Sequence, residues 1–84
     1  MGKEKILRRV LSGTSDASIR FDELCQLLES LGFEKYTRGS HHLFRKAGVE
    51  EKLNLQRAGH EAKSYQVRQV RAVILKYRLA EDGR

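Results

Sequence analysis

Residues 21–32 leave this chain few ways to fold. Phe21, Leu24, Cys25, Leu27, Leu28 and Leu31 recur at three- and four-residue steps, which makes one face of a helix apolar along its length. Asp22 and Glu23 fall in its first turn, where acidic side chains suit the helix dipole. Gly32 follows as the stop. Such a face must be covered. With 84 residues the chain has room for one small core, so residues 1–84 read as a single domain whose other apolar segments pack on this helix.

Those segments fall into two classes. Ile6, Leu7, Val10 and Leu11 share one side of a short helix over residues 3–11. The serine-rich stretch from Ser12 to Ser18, with Gly13, reads as a loop. Beyond Gly32 the pattern changes. Phe33–Arg38, with its aromatics and threonine, reads as a strand. Gly39-Ser40 makes a turn, and His41–Lys46 returns as the second strand of a hairpin. Ala47–Glu51 is a turn, and Lys52–Gln56 alternates as a third strand. Residues 57–63 read as a glycine-broken connection. Ser64 is placed to cap a last helix over about 65–79, with Val67, Val70, Ile74 and Tyr77 on one face and Leu75 and Leu79 on the outward side. The expected fold class is α+β: a three-stranded antiparallel sheet with helices on one face, in the order α-α-β-β-β-α.

Charge narrows the function. The net charge is +6, and residues 1–32 contribute none of it. Residues 33–46 carry +3 and residues 57–78 carry +5. Positive charge gathered in this way favours a polyanion such as nucleic acid over a neutral ligand. No apolar stretch is long enough to span a bilayer, so no membrane association is expected. The lone Cys25 has no internal disulfide partner and lies within the apolar helical pattern, so it reads as a buried structural thiol in a protein of the reducing cytoplasm.

The chemistry concentrates in Thr37-Arg38-Gly39-Ser40-His41-His42-Leu43-Phe44-Arg45-Lys46. A metal site is disfavoured, because adjacent strand histidines point to opposite faces and no Cys-x-x-Cys or His-x-x-x-His spacing occurs. No metal and no other cofactor is expected. A hydrolase triad is disfavoured too, since Ser40 has no Gly-x-Ser-x-Gly elbow. RNA cleavage fits best. RNA carries its own nucleophile, the 2′-hydroxyl, so the protein needs a base to deprotonate it and cations for the charged phosphorane. Histidine suits the first task and Arg or Lys the second. Alternation alone does not choose between the histidines: His41, Leu43 and Arg45 share one face, and His42, Phe44 and Lys46 the other.

Leu27-Leu28-Glu29-Ser30-Leu31-Gly32-Phe33, followed by Arg38-Gly39-Ser40-His41-His42-Leu43-Phe44, a strand, a histidine loop and a final helix, resembles the HicA-type toxins, the mRNA-cleaving members of bacterial toxin–antitoxin pairs. The resemblance covers roughly residues 20–79 and leaves residues 3–11 as an N-terminal extension. It implies a fold like a double-stranded-RNA-binding domain, a metal-independent endoribonuclease acting on mRNA, and a HicB-type antitoxin as protein partner. It implies His41 as the catalytic histidine. With that role assigned, the chemistry of the neighbouring residues makes Gly39 and Ser40 phosphate-positioning residues, and Arg38, Lys35, Arg45, Lys46, Arg57 and Lys63 holders of the RNA backbone. Many relatives end the third strand with a proline and then a histidine. This chain has no proline, and its His60 follows Ala58-Gly59. The alternative reading is a non-catalytic RNA-binding module on the same fold.

Overall fold

The helix that the leucine spacing predicts is α2, Phe21–Ser30, in a computed structural model that describes residues 2–82. Phe21, Leu24, Cys25, Leu27 and Leu28 are all buried on it. Leu31 closes the helix, and Gly32 takes a left-handed φ of 99°. That conformation is costly for any residue with a side chain, and it turns the chain directly into the sheet.

Three strands follow, β1 (Glu34–Arg38), β2 (His41–Arg45) and β3 (Leu53–Leu55), paired antiparallel in the order β1-β2-β3. Arg38 pairs with His41 across the two-residue loop Gly39-Ser40. Gly39 takes the positive φ, 61°, that such tight hairpins demand at the first loop position. Phe44, Leu53 and Leu55 turn inward and are buried, while Tyr36, Arg38, His41, Arg45 and Asn54 face outward and are exposed. Phe44 pairs with Leu53, and His42 with Leu55, so the inward residues form rows across the strands.

The other side of the core is the last long helix, α3 (Ser64–Lys76), which buries Val67, Val70, Val73 and Ile74. These residues, the inward face of the sheet and α2 form one continuous apolar cluster. The architecture is the expected α+β sheet with helices on one face, consistent with the double-stranded-RNA-binding-domain type.

Four local expectations are corrected. The connection at 57–63 contains a second hairpin, β4 (Arg57–Ala58) and β5 (Glu61–Ala62). Its backbone bonds to the start of α2 and the segment before it, with Phe21 N–H donating to the His60 carbonyl at 3.0 Å and Ala62 N–H to the Ile19 carbonyl at 2.9 Å. Ser64 is the first residue of α3 rather than its cap; Lys63 holds the cap position, without a side-chain cap bond. The helix ends at Lys76, because Arg78 adopts a left-handed φ of 55° before the short α4 (Leu79–Asp82). That reversal carries Leu79 into the core, 5% exposed, and leaves Leu75 outside at 62%. Finally, β2 ends at Arg45, not at Lys46.

The first helix is α1 (Gly2–Ser12), with Ile6 and Val10 buried and Leu7 and Leu11 partly so. Arg71 of α3 fastens this end of the chain. Its guanidinium donates to both Asp16 carboxylate oxygens, at 2.9 and 3.2 Å, and to the Val10 carbonyl at 3.0 Å. At the far end of α3, Glu51 accepts from Lys76 Nζ at 2.8 Å and from the Tyr77 hydroxyl at 2.7 Å. The hydrogen bond from Lys76, then that from Tyr77, hold the Glu51 carboxyl down at about 2.

Two outcomes are expected. Asp16→Ala leaves a half-buried guanidinium without its charged partner and lowers stability by about 2 kcal/mol, read as a shift of the urea midpoint at constant slope. The Glu51 carboxyl is depressed from an ordinary 4.5 to about 2, so its contribution is complete above the ordinary value and disappears as pH falls through about 2. Urea melts across that acid window are expected to lose part of their pH dependence in Glu51→Gln.

Candidate active site

Among the described residues no helix covers the outward face of the sheet, and the side chains of that face are ordered by the strand register. The ladder pairs Arg38 with His41 and Leu43 with Asn54. Continued by one residue, it sets His41 opposite Gln56. One row across the sheet is therefore Arg38, His41 and Gln56, and the next is Tyr36, Leu43 and Asn54. An open groove of about 780 Å³ runs over this face, lined by residues that include Tyr36, Arg38, His41, Leu43, Arg45 and Asn54.

The His41 ring is exposed, and both of its nitrogens have partners. Nδ1 lies 3.4 Å from Asn54 Oδ1, and Nε2 lies 3.3 Å from Gln56 Nε2. Lys63, half-buried at the start of α3, brings its ammonium to 3.5 Å from Gln56 Oε1. Tyr36 donates to Glu34 at 2.7 Å, a bond that raises the Tyr36 hydroxyl above its ordinary range and occupies the carboxylate on this face. Among the described residues, Arg38 and Arg45 enter no ion pair.

His42 is a different kind of residue. It turns inward beside Phe44, and its ring meets the Phe21 ring edge-on at a centroid distance of 5.0 Å. Its Nδ1 is buried without a hydrogen-bond partner. The adjoining cleft is lined by Phe21, Asp22, Cys25, Lys35, His42 and Arg57, among others. Its charges are already matched: Arg57 binds Asp22 at 2.7 Å and lies over the Phe21 ring at 4.8 Å, and Lys35 pairs with Glu29 at 3.4 Å. Burial pushes the Cys25 thiol up to about 11. It is therefore protonated at neutral pH and is no nucleophile.

The sequence-predicted residues thus divide by position. Arg38, His41 and Arg45 meet on the open face, with Gly39 and Ser40 at the exposed hairpin tip beside them. Lys63 reaches His41 through Gln56. Arg57 lies in the His42 cleft, and Lys35, on the edge strand, borders both that cleft and the open groove. Lys46 folds back over the end of α2, where a Cβ on Gly32 would come within 2.7 Å of its ammonium. His60 is exposed at the tip of the second hairpin and does not line the His41 groove. Among the described residues, no three His, Cys, Asp or Glu side chains converge as metal ligands, and no helix is long and apolar enough to cross a membrane.

Asn54, Gln56 and Tyr36 were not singled out from sequence. The strict alternation of Leu53-Asn54-Leu55-Gln56 puts Asn54 and Gln56 on one face, but only the register between β2 and β3 sets that face beside His41.

A family model described as the HicA toxin of bacterial toxin–antitoxin systems matches residues 21–77. Neither the curated proteins nor the solved structures yield a match.

Proposed function

Because the chain belongs to the HicA toxin family of bacterial toxin–antitoxin systems, we propose that it is a cytoplasmic, metal-independent endoribonuclease that cleaves mRNA, with His41 as the group that moves the proton. The observation that supports this reading best is the exposed His41 ring at an open groove between Arg38 and Arg45. An RNA strand laid along the open face meets two guanidiniums for its phosphates. The imidazole takes the proton of a ribose 2′-hydroxyl. The alkoxide attacks the neighbouring phosphorus, the bond to the 5′-oxygen breaks, that oxygen takes a proton from solvent water, and the imidazolium of His41 returns its proton to the solvent. The products are a 2′,3′-cyclic phosphate and a 5′-hydroxyl end. Arg38 and Arg45 stabilise the extra charge on the phosphorane, and the Gly39-Ser40 tip offers backbone and hydroxyl donors to a phosphate oxygen. A HicB-type antitoxin neutralises the toxin by covering this face.

The inward histidine has a packing role in this scheme. His42→Phe keeps a ring edge against Phe21 and removes a buried nitrogen that has no partner, so it is expected to hold or raise stability by about 1 kcal/mol.

The test uses purified protein and a defined transcript in EDTA. Wild type and His42→Phe are expected to cut it, leaving cyclic phosphate ends. His41→Ala is expected to lose at least about a hundredfold in rate while keeping its circular dichroism spectrum and urea midpoint. Full cleavage by clean His41→Ala removes this ring from the mechanism, and loss of cleavage in His42→Phe transfers the role to His42. Salt-sensitive RNA binding by wild type without fragments supports the non-catalytic RNA-binding reading instead.

A further inference from the structure

We propose that Gln56, oriented by Lys63, is a positioning residue that holds the neutral His41 ring in the Nδ1–H tautomer, with the unprotonated Nε2 as the base. This rests on the reading of His41 as the proton-transfer group. A neutral imidazole has one N–H donor and one acceptor nitrogen, and its partners decide which is which.

Three contacts admit one consistent set of protons. The Lys63 ammonium can only donate, so the Gln56 atom 3.5 Å from it must be the amide oxygen. The Gln56 amide nitrogen then faces the ring, 3.3 Å from His41 Nε2. An amide NH2 can only donate, so Nε2 carries the lone pair. The ring proton sits on Nδ1 and points at Asn54 Oδ1, 3.4 Å away. The opposite tautomer sets Nε2–H against the Gln56 NH2. Rotating that amide to relieve the clash turns its NH2 toward the ammonium. Lys63 thus selects the tautomer without touching the ring.

The relay has a rigid base. Gln66, on α3, is 1% exposed and is the only buried polar side chain among the described residues. With its amide oriented to match its surroundings, it accepts from the Gln56 N–H at 3.0 Å and donates to the Gln56 carbonyl at 3.1 Å. A buried amide is stable only when satisfied, and this one is satisfied by clamping the backbone of the residue that orients His41. Arg38, across the strand pair, is the other charged group beside the ring in this row, and as a pure donor it does not compete for the Nδ1 proton.

In the reaction, the 2′-hydroxyl replaces the Gln56 N–H at Nε2 and gives up its proton there. The resulting imidazolium keeps Nδ1–H on Asn54. No further oxidant, metal or cofactor enters the step.

The tautomer is readable without RNA. Long-range proton–nitrogen correlation spectra of uniformly labelled full-length protein, at a pH where the ring is neutral, are expected to show His41 mainly as the Nδ1–H form, the one that an unconstrained histidine side chain disfavours. Gln56→Glu presents an acceptor to Nε2 and is expected to convert the ring to the Nε2–H form; Lys63→Met frees the Gln56 amide and is expected to give a mixture. In cleavage assays Gln56→Glu is expected to lose about tenfold in kcat with KM little changed. A wild-type ring found mainly as Nε2–H overturns the proposal, as does a tautomer that neither substitution moves. The wild-type spectrum needs no variant to fold. Absence of RNA cleavage alongside the Nδ1–H form overturns the nuclease reading alone, and cleavage with the Nε2–H form overturns the relay alone.

Discussion

A three-stranded sheet with helices on one side has one face in the core and one face without a layer over it, and the placement of β2 between β1 and β3 turns that constraint into a candidate site. Phe44 is fully buried against the helices. Because strand side chains alternate, that one anchored ring fixes the direction of its neighbours: His42 points inward beside it, and His41, Leu43 and Arg45 point out. A slip of one residue would bury His41 and Arg45 and expose Phe44. The apolar content of β2 and β3 therefore sets the composition of the open face as well as the stability of the core.

The same constraint explains which parts of the structure were legible in the sequence. The α2 helix, its Gly32 stop and the Gly39-Ser40 turn are local events, written in leucine spacing and in glycines that the backbone uses at positive φ. The second hairpin is not local. Arg57–Ala58 and Glu61–Ala62 have little strand character of their own, and their pairing depends on Ile19 and Phe21 supplying backbone partners from the other end of the core. The break after Lys76 was hidden for a similar reason. Residues 65–79 continue a helical pattern, and only the burial gained by Leu79 makes a left-handed Arg78 worthwhile. His41 was legible as a candidate from its place after Gly-Ser. Asn54 and Gln56 were not, because their place beside His41 depends on the register of two strands separated by residues 46–52.

The segment before α2 lies outside the matched residues 21–77, yet it is integral to the core. Ile6, Val10 and Ile19 are buried with the α2 leucines, and Arg71 ties the Val10 carbonyl and Asp16 to α3. In so small a chain the apolar surface of α2 and α3 exceeds what the sheet alone covers, and α1 supplies the missing side. Its contribution to the candidate site is indirect: it braces α3, the helix that carries Gln66 and, at its cap, Lys63.

The distribution of charge takes on a different meaning once the side chains are placed. Of the six basic residues between 57 and 78, Arg57, Arg71 and Lys76 are bound to Asp22, Asp16 and Glu51. The large positive total of that segment thus serves in good part to fasten loops and helices to one another. Arg38 and Arg45 belong to a segment of smaller net charge, but they share no ion pair among the described residues and border the groove that holds His41. An exposed pair of guanidiniums on an uncovered sheet face costs little by itself, and in water it attracts anions only weakly. The register sets Arg38 in the row of His41 and Arg45 opposite Glu34, two outward rows further along β2, so the two cations are spread along the hairpin and not paired at one point. On the proposed reading, an uncovered sheet face with cations spread along it suits an extended single strand better than a deep pocket would, because the strand can lie along the surface with its backbone toward the cations.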